Sequence, residues 1–249
     1  MNDSPFSLQN KIILVTGASS GIGRAAALLC SELGATVVLC GRDMDRLNAT
    51  LTSLSGTGHT IIPGDLTNAE ARHALVDAVP PLDGCVFSAG VAALVPMRMV
   101  SEQHLHAMFS VNYEAPVMLT QRLLSKKKIN NDASLVFVTA RAEHFSPIAT
   151  GIYSGVKAAL TATVRTIALE HAKQGIRANC ISPGYVDTPM LEKLQGVSSI
   201  ESKVDLVPLG AIEATDIANG IAYLLAPASR WVTRSSLVID GGLSLRARG

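Results

Sequence analysis

Short apolar runs recur along the 249 residues and alternate with stretches whose apolar positions repeat at helical spacing. The runs Lys11–Thr16, Thr36–Gly41, His59–Gly64, Leu82–Ser88, Ala133–Ala140, Arg177–Ser182 and Ser236–Ile239 are mostly continuous in apolar residues. Strands covered on both faces read that way, whereas half-exposed strands alternate. Between them, Gly21–Leu33 carries Ile22, Ala25, Ala26 and Leu29 on one side, the spacing of a single helical face. Asp43–Leu54 and Asn68–Val79 each open on a residue type that caps helix starts. Ser101–Ser125 and Gly151–Gln174 predict long helices, and Glu213–Ala226 a shorter one. The alternation predicts an α/β chain: a doubly wound parallel sheet of about seven strands with helices on both faces. With no repeat, low-complexity tract or Pro/Ser-rich linker, residues 1–249 read as one domain. Ligands on such sheets bind beyond the carboxyl ends of the strands, where the strand order reverses.

Composition narrows the function classes. The chain is 48% hydrophobic and 16% charged with a net charge of +1, too apolar and too nearly neutral for intrinsic disorder. No basic excess points to nucleic acid, and 4% aromatic residues leave little for base stacking. No apolar run reaches the ~18 residues of a membrane helix; the longest candidate, Gly84 to Met97, is broken by Gly90 and Pro96. Met1-Asn2-Asp3-Ser4-Pro5 lacks the basic and apolar regions of a signal peptide. Cys30, Cys40, Cys85 and Cys180 form no C-x-x-C pair and read as buried small hydrophobes. A cytoplasmic protein with no membrane, nucleic-acid or metal partner is expected.

The first strand runs into Thr16-Gly17-Ala18-Ser19-Ser20-Gly21-Ile22-Gly23, and a helix follows. Glycines there let the backbone approach a pyrophosphate, and the helix N-terminus offers free N–H groups and a positive dipole end. Thr-Gly-x-x-x-Gly-x-Gly resembles the short-chain dehydrogenase/reductase family, and later motifs extend the resemblance over about residues 8 to 243. It implies a Rossmann-type fold and a nicotinamide dinucleotide held by Thr16, Gly17, Ser19, Ser20, Gly21, Ile22 and Gly23. At the end of the second strand, Gly41 stands where an NAD-binding carboxylate would sit, and Arg42 follows. A guanidinium suits a 2′-phosphate, so NADP(H) is preferred and NAD(H) remains possible. A solvated arginine beside Asp43 is the plainer alternative. Asp65-Leu66 resembles the family's adenine position. Ser88-Ala89-Gly90 stands for the usual Asn-Ala-Gly, and Pro183-Gly184-Tyr185-Val186-Asp187-Thr188 for the segment that closes over the nicotinamide.

Tyr153 and Lys157 form Tyr-x-x-x-Lys near the start of a predicted helix, which places both on one helical face. An ammonium beside a phenol favours the phenolate, so Tyr153 is expected to be acidified and to exchange a proton with substrate oxygen. The resemblance adds that Lys157 holds the nicotinamide ribose and that Asn112 shapes its helix and holds a water. The family's catalytic Ser falls on Ala140, a departure. Thr139 is adjacent, but neighbouring strand residues face opposite sides. Ser146 and Thr150 are other candidate substitute hydroxyls. One lost donor typically costs about 10²–10³ in rate.

The sequence therefore reads as an NADP(H)-dependent oxidoreductase acting on a carbonyl/alcohol pair, most similar to 3-oxoacyl-[acyl-carrier-protein] reductases. The alternative is a catalytically impaired chain that binds a dinucleotide or a partner. Arg141 and His144 beside the site could meet an anionic substrate or simply be solvated. Residues 190–208 stand where the family varies its substrate lid, with Met190, Leu191, Leu194, Val197, Ile200, Val204 and Leu206 as apolar positions. Lys126-Lys127-Lys128 suits either an acidic carrier or a helix end. The resemblance also implies a homotetramer or homodimer, formed through the two long helices and the Leu237–Gly242 region.

Overall fold

The computed structural model describes residues 4–192 and 207–246. Seven parallel strands form the main sheet: β1 (Ile12–Thr16), β2 (Thr36–Gly41), β3 (Thr60–Pro63), β4 (Leu82–Phe87), β5 (Ile129–Val138), β6 (Arg177–Pro183) and β9 (Ser236–Ile239). Their order is β3-β2-β1-β4-β5-β6-β9, and a second, two-stranded sheet pairs β7 (Val186–Asp187) with β8 (Ile212–Glu213). The order reverses between β1 and β4, which fixes the switch point at the carboxyl ends of those neighbours.

Alternation along each central strand divides the core into two layers. Ile13, Val15, Val86, Val136, Val138 and Ile181 pack with α1 (Gly21–Glu32) and the helix Ala214–Leu225. Leu14, Cys85, Phe87, Leu135, Phe137 and Cys180 face α3 (Ala69–Ala78), α5 (Ala115–Ser125) and α7 (Gly151–Glu170). The nearly continuous apolar runs are the sum of these two period-2 faces. All four cysteines are free and buried.

Local chemistry sets the helix starts. Asp43 accepts the backbone N–H of Arg46 at the start of α2 (Met44–Thr52). Asn68 accepts those of Glu70 and Ala71 at the start of α3. The predicted helix Ser101–Ser125 is instead interrupted: α4 (Glu102–Phe109), a π-helical turn (Ser110–Glu114), then α5. Asn112 causes the interruption, because its Nδ2 donates to the Met108 carbonyl and competes with the backbone ladder. Likewise α7 ends at Glu170, a 3₁₀ turn follows, and Gly175 at φ +72° stops the chain from continuing as helix. The stretch after β5, expected as loop, folds into a short helix, α6 (Ala142–Phe145).

Lys128, in the lysine run, donates its ammonium to the Val79 carbonyl and so ties two chain segments together at that edge. Among the described residues, no helix is long and apolar enough to cross a membrane.

Phe137 is fully buried and stacks on Phe87 with centroids 4.3 Å apart. Phe137→Ala should cost about 3–5 kcal/mol of stability, read from the midpoint and slope of urea unfolding.

Candidate active site

Thr16 closes the switch point. Its hydroxyl donates to the Val86 carbonyl at 3.3 Å and accepts from the Ser88 and Ala89 amides at 3.2 and 3.3 Å. Gly17 (φ +68°) then turns so tightly against the segment after β4 that a Cβ would lie 2.8 Å from the Ala89 nitrogen. At Gly23 a Cβ would meet the Gly17 carbonyl oxygen at 2.3 Å, so α1 can pack against the loop only without a side chain there. Ser20 begins α1 in extended conformation with no side-chain cap, and no acidic residue lies in the first turn. The first amides of α1 therefore keep their capacity for an anion. Gly21 touches the Thr188 side chain: its Cβ would lie 3.3 Å from Thr188 Cγ2. That contact joins the glycine loop to the Pro183–Thr188 segment, in which Val186 is buried and Gly184 packs against Asp240.

At the end of β2, Arg42 is exposed, with Nη1 3.8 Å from Asp65 Oδ2. The other Asp65 oxygen accepts from the amide and hydroxyl of Thr67, and these bonds, with Arg42 nearby, hold its carboxyl below the usual carboxylate range. Leu66 is in the core. A Cβ at Gly41 would lie 3.6 Å from Ser19 Oγ, so the first loop and the end of β2 border one space.

Tyr153 and Lys157 lie in the opening turns of α7. Lys157 is buried, its Nζ donates to the Val138 carbonyl at 2.9 Å, and it sits 5.8 Å from the centre of the Tyr153 ring. Asn112 is fixed from both sides: its Oδ1 accepts from the Val91 amide, and its Nδ2 donates to the Val91 and Met108 carbonyls. A Cβ on Gly90 would stand 3.0 Å from Asn112 Oδ1 and 3.6 Å from Lys157 Nζ, so this glycine lets the three meet.

The expected acidification of Tyr153 is opposed by its surroundings. Burial, with the charge of Glu143 second, pushes Tyr153 up to about 12. Burial pushes Lys157 down to about 8, opposed by Glu143. Burial and the Glu143 charge both act against the phenolate, so these surroundings favour the neutral phenol.

Tyr153, Thr139, Ala140, Arg141 and Thr150 line one cavity, closed on other sides by apolar residues that include Ile22, Leu94 and Val186. Ala140 brings no hydroxyl to it. The amide and hydroxyl of Thr139 both donate to the Ile181 carbonyl, and Thr150 donates to the Pro147 carbonyl at 2.6 Å. Each proton is therefore committed to backbone. Ser146, left-handed at φ +40° after α6, is not among the lining residues. Met190 and Leu191 of the expected lid line the cavity; Leu194, Val197, Ile200, Val204 and Leu206 lie outside the described residues.

Glu143 is the site residue that sequence reading missed. Its side chain is 2% exposed; it accepts from Thr161 Oγ at 2.6 Å and Ser236 Oγ at 3.4 Å, and His144 Nε2 lies 3.0 Å away. Thr161 is one turn beyond Lys157 on α7. A lone Glu in an expected loop carries no signal; the fold of α6 turns it inward.

A family model described as "Enoyl-(Acyl carrier protein) reductase" matches residues 17–244. Among curated proteins, the chain is 31% identical over 247 residues to the (2S)-[(R)-hydroxy(phenyl)methyl]succinyl-CoA dehydrogenase subunit BbsD of Thauera aromatica, covering 96% of this chain and 99% of that one. It is 32% identical to a glucose 1-dehydrogenase of Gluconobacter oxydans, covering 94% and 92%. It is 27% identical to the 3-oxoacyl-[acyl-carrier-protein] reductase FabG of Rickettsia felis, covering 95% and 98%. The crystal structure of a dehydrogenase/reductase from Sinorhizobium meliloti superposes with a TM-score of 0.88 at 29% identity, covering 96% of this chain and 97% of that one.

Burial pushes Lys157 down toward about 8, and Glu143 is the larger of the charges that oppose it. Glu143→Gln should shift the Lys157 titration to lower pH, followed by amine labelling of Lys157 across a pH series with peptide mass analysis. No shift, or an upward one, would contradict the assignment.

Proposed function

The chain belongs to the short-chain dehydrogenase/reductase family, an oxidoreductase family acting on alcohol and carbonyl groups, and on that premise we propose that it reduces a ketone with NADPH. The observation that carries this reading is Tyr153 lining a largely apolar cavity, with buried Lys157 one turn behind it. When bound, the dinucleotide supplies the hydride. The chain supplies everything else: Gly17, Ser19, Ser20, Gly21, Ile22 and Gly23 would hold the pyrophosphate, Asp65 and Leu66 would meet the adenine, and Ser88, Ala89 and Gly90 would border the dinucleotide beyond β4. Pro183, Gly184, Val186 and Thr188 would close over the nicotinamide, and Lys157 would hold its ribose. Tyr153 donates its proton to the substrate oxygen as that oxygen gains negative charge. Asn112 holds the π-helical turn in place and so fixes the floor under Lys157.

Arg42 supports NADP(H) over NAD(H). It stands exposed beside the space left by Gly41 and Ser19, where a carboxylate would repel the 2′-phosphate and a guanidinium pairs with it. The apolar residues Phe109, Met118 and Leu169, exposed on α4, α5 and α7, support a homotetramer or homodimer through these helices.

The relatives lend no support to a chain that binds dinucleotide without turnover, since their names are those of reductases and dehydrogenases. The decisive assay is loss of NADPH absorbance against a panel of ketones and 3-oxoacyl thioesters. Turnover should be measurable in the wild type and lost in Tyr153→Phe. Tight NADPH binding with no turnover on any member, together with activity created by Ala140→Ser, would overturn the proposal. In an active wild type, Ala140→Ser adds a hydroxyl where Thr139 and Thr150 have none to give. It should raise kcat by about ten-fold or more, toward the 10²–10³ that one such donor is worth. Arg42→Ala should weaken NADPH about ten-fold, the scale of one charge-assisted hydrogen bond, and leave NADH unchanged, as read by fluorescence titration.

A further inference from the structure

Arg141 follows Ala140 at the end of β5, and its amide donates to the Pro183 carbonyl at 2.9 Å, which fixes its backbone to β6. Arg141 is among the residues lining the cavity in front of Tyr153. The guanidinium carbon lies 5.0 Å above the centre of the Phe145 ring, and Nη1 is buried with no hydrogen-bond partner. Among the described residues no carboxylate lies within ion-pair distance of it.

The carboxylates near Arg141 are already occupied. Glu143 is held by Thr161, Ser236 and His144. Asp240, which feels the Arg141 charge, takes the amides of Gly242 and Ser244 and the Ser244 hydroxyl. An always-charged, partly desolvated guanidinium thus belongs to a residue lining a cavity whose other walls are mostly apolar. Leaving such a donor unpaired is costly, and the group that removes the cost is an oxyanion with matching fork geometry.

We propose that Arg141 is a specificity residue: the substrate is a ketone that carries a carboxylate, gripped by Arg141 while its carbonyl oxygen lies at Tyr153. This rests on the reductase reading for the site but concerns the other end of the substrate. It also gives the departure at Ala140 a context, because charge pairing at Arg141 orients the substrate where a serine hydroxyl is missing. Uniform binding of this kind lowers KM, and orientation raises kcat.

The test is calorimetric titration of a chain-length series of oxo acids, and of their amides, into the full-length protein with and without saturating NADP⁺. The best acid should bind about ten-fold tighter than its amide, as a charge-assisted pair predicts, and added salt should narrow that gap. Arg141→Gln should bring acid and amide within about two-fold of each other, while Arg141→Lys keeps part of the preference. Tyr153→Phe should leave the preference intact, so a failed turnover assay and a failed anion site give different results. An acid no better than its amide, an unchanged ratio in both Arg141 variants, or no binding by any acid would overturn the proposal.

Discussion

Lys157 is almost without solvent, and at the end of β5 its ammonium donates to the Val138 carbonyl. That bond sets the height of α7 against the sheet, and with it the position of Tyr153 one turn earlier. It also limits what can stand nearby. Gly90 must lack a side chain, and Asn112 must turn its amide toward Val91 rather than toward the helix ladder. The π-helical turn is the backbone consequence: one residue more per turn lets Asn112 reach two segments together.

The electrostatics of the site follow from the same burial. Desolvation lowers Lys157 and raises Tyr153, and buried Glu143 pulls both upward. Arg141, two residues before Glu143, has no carboxylate at ion-pair distance among the described residues.

The cofactor side depends on close approach instead of charge. Thr16 gathers three backbone groups across β1 and β4, and Gly17 and Gly23 allow the loop and α1 to nest against them. The bare first turn of α1 then faces outward beyond the strand ends. These positions were legible because glycine spacing and strand–turn–helix context are local properties of the chain. So were the caps at Asp43 and Asn68, whose side chains bond amides only two or three residues away.

By itself the sequence determined the seven-stranded order of elements, the two-faced burial of the strands, the glycine loop and the Tyr153–Lys157 spacing. Each depends on residues within a turn or a strand of one another. Tertiary structure alone decided the rest. It turned Glu143 inward on α6, spent the Thr139 and Thr150 protons on backbone carbonyls, and set Tyr153 in the wall of a largely apolar cavity. It also left the Arg141 Nη1 buried and, among the described residues, without a hydrogen-bond partner. These outcomes depend on desolvation and on partners distant along the chain, such as Thr161, Ile181 and Ser236. No local pattern encodes which buried charge meets which neighbour.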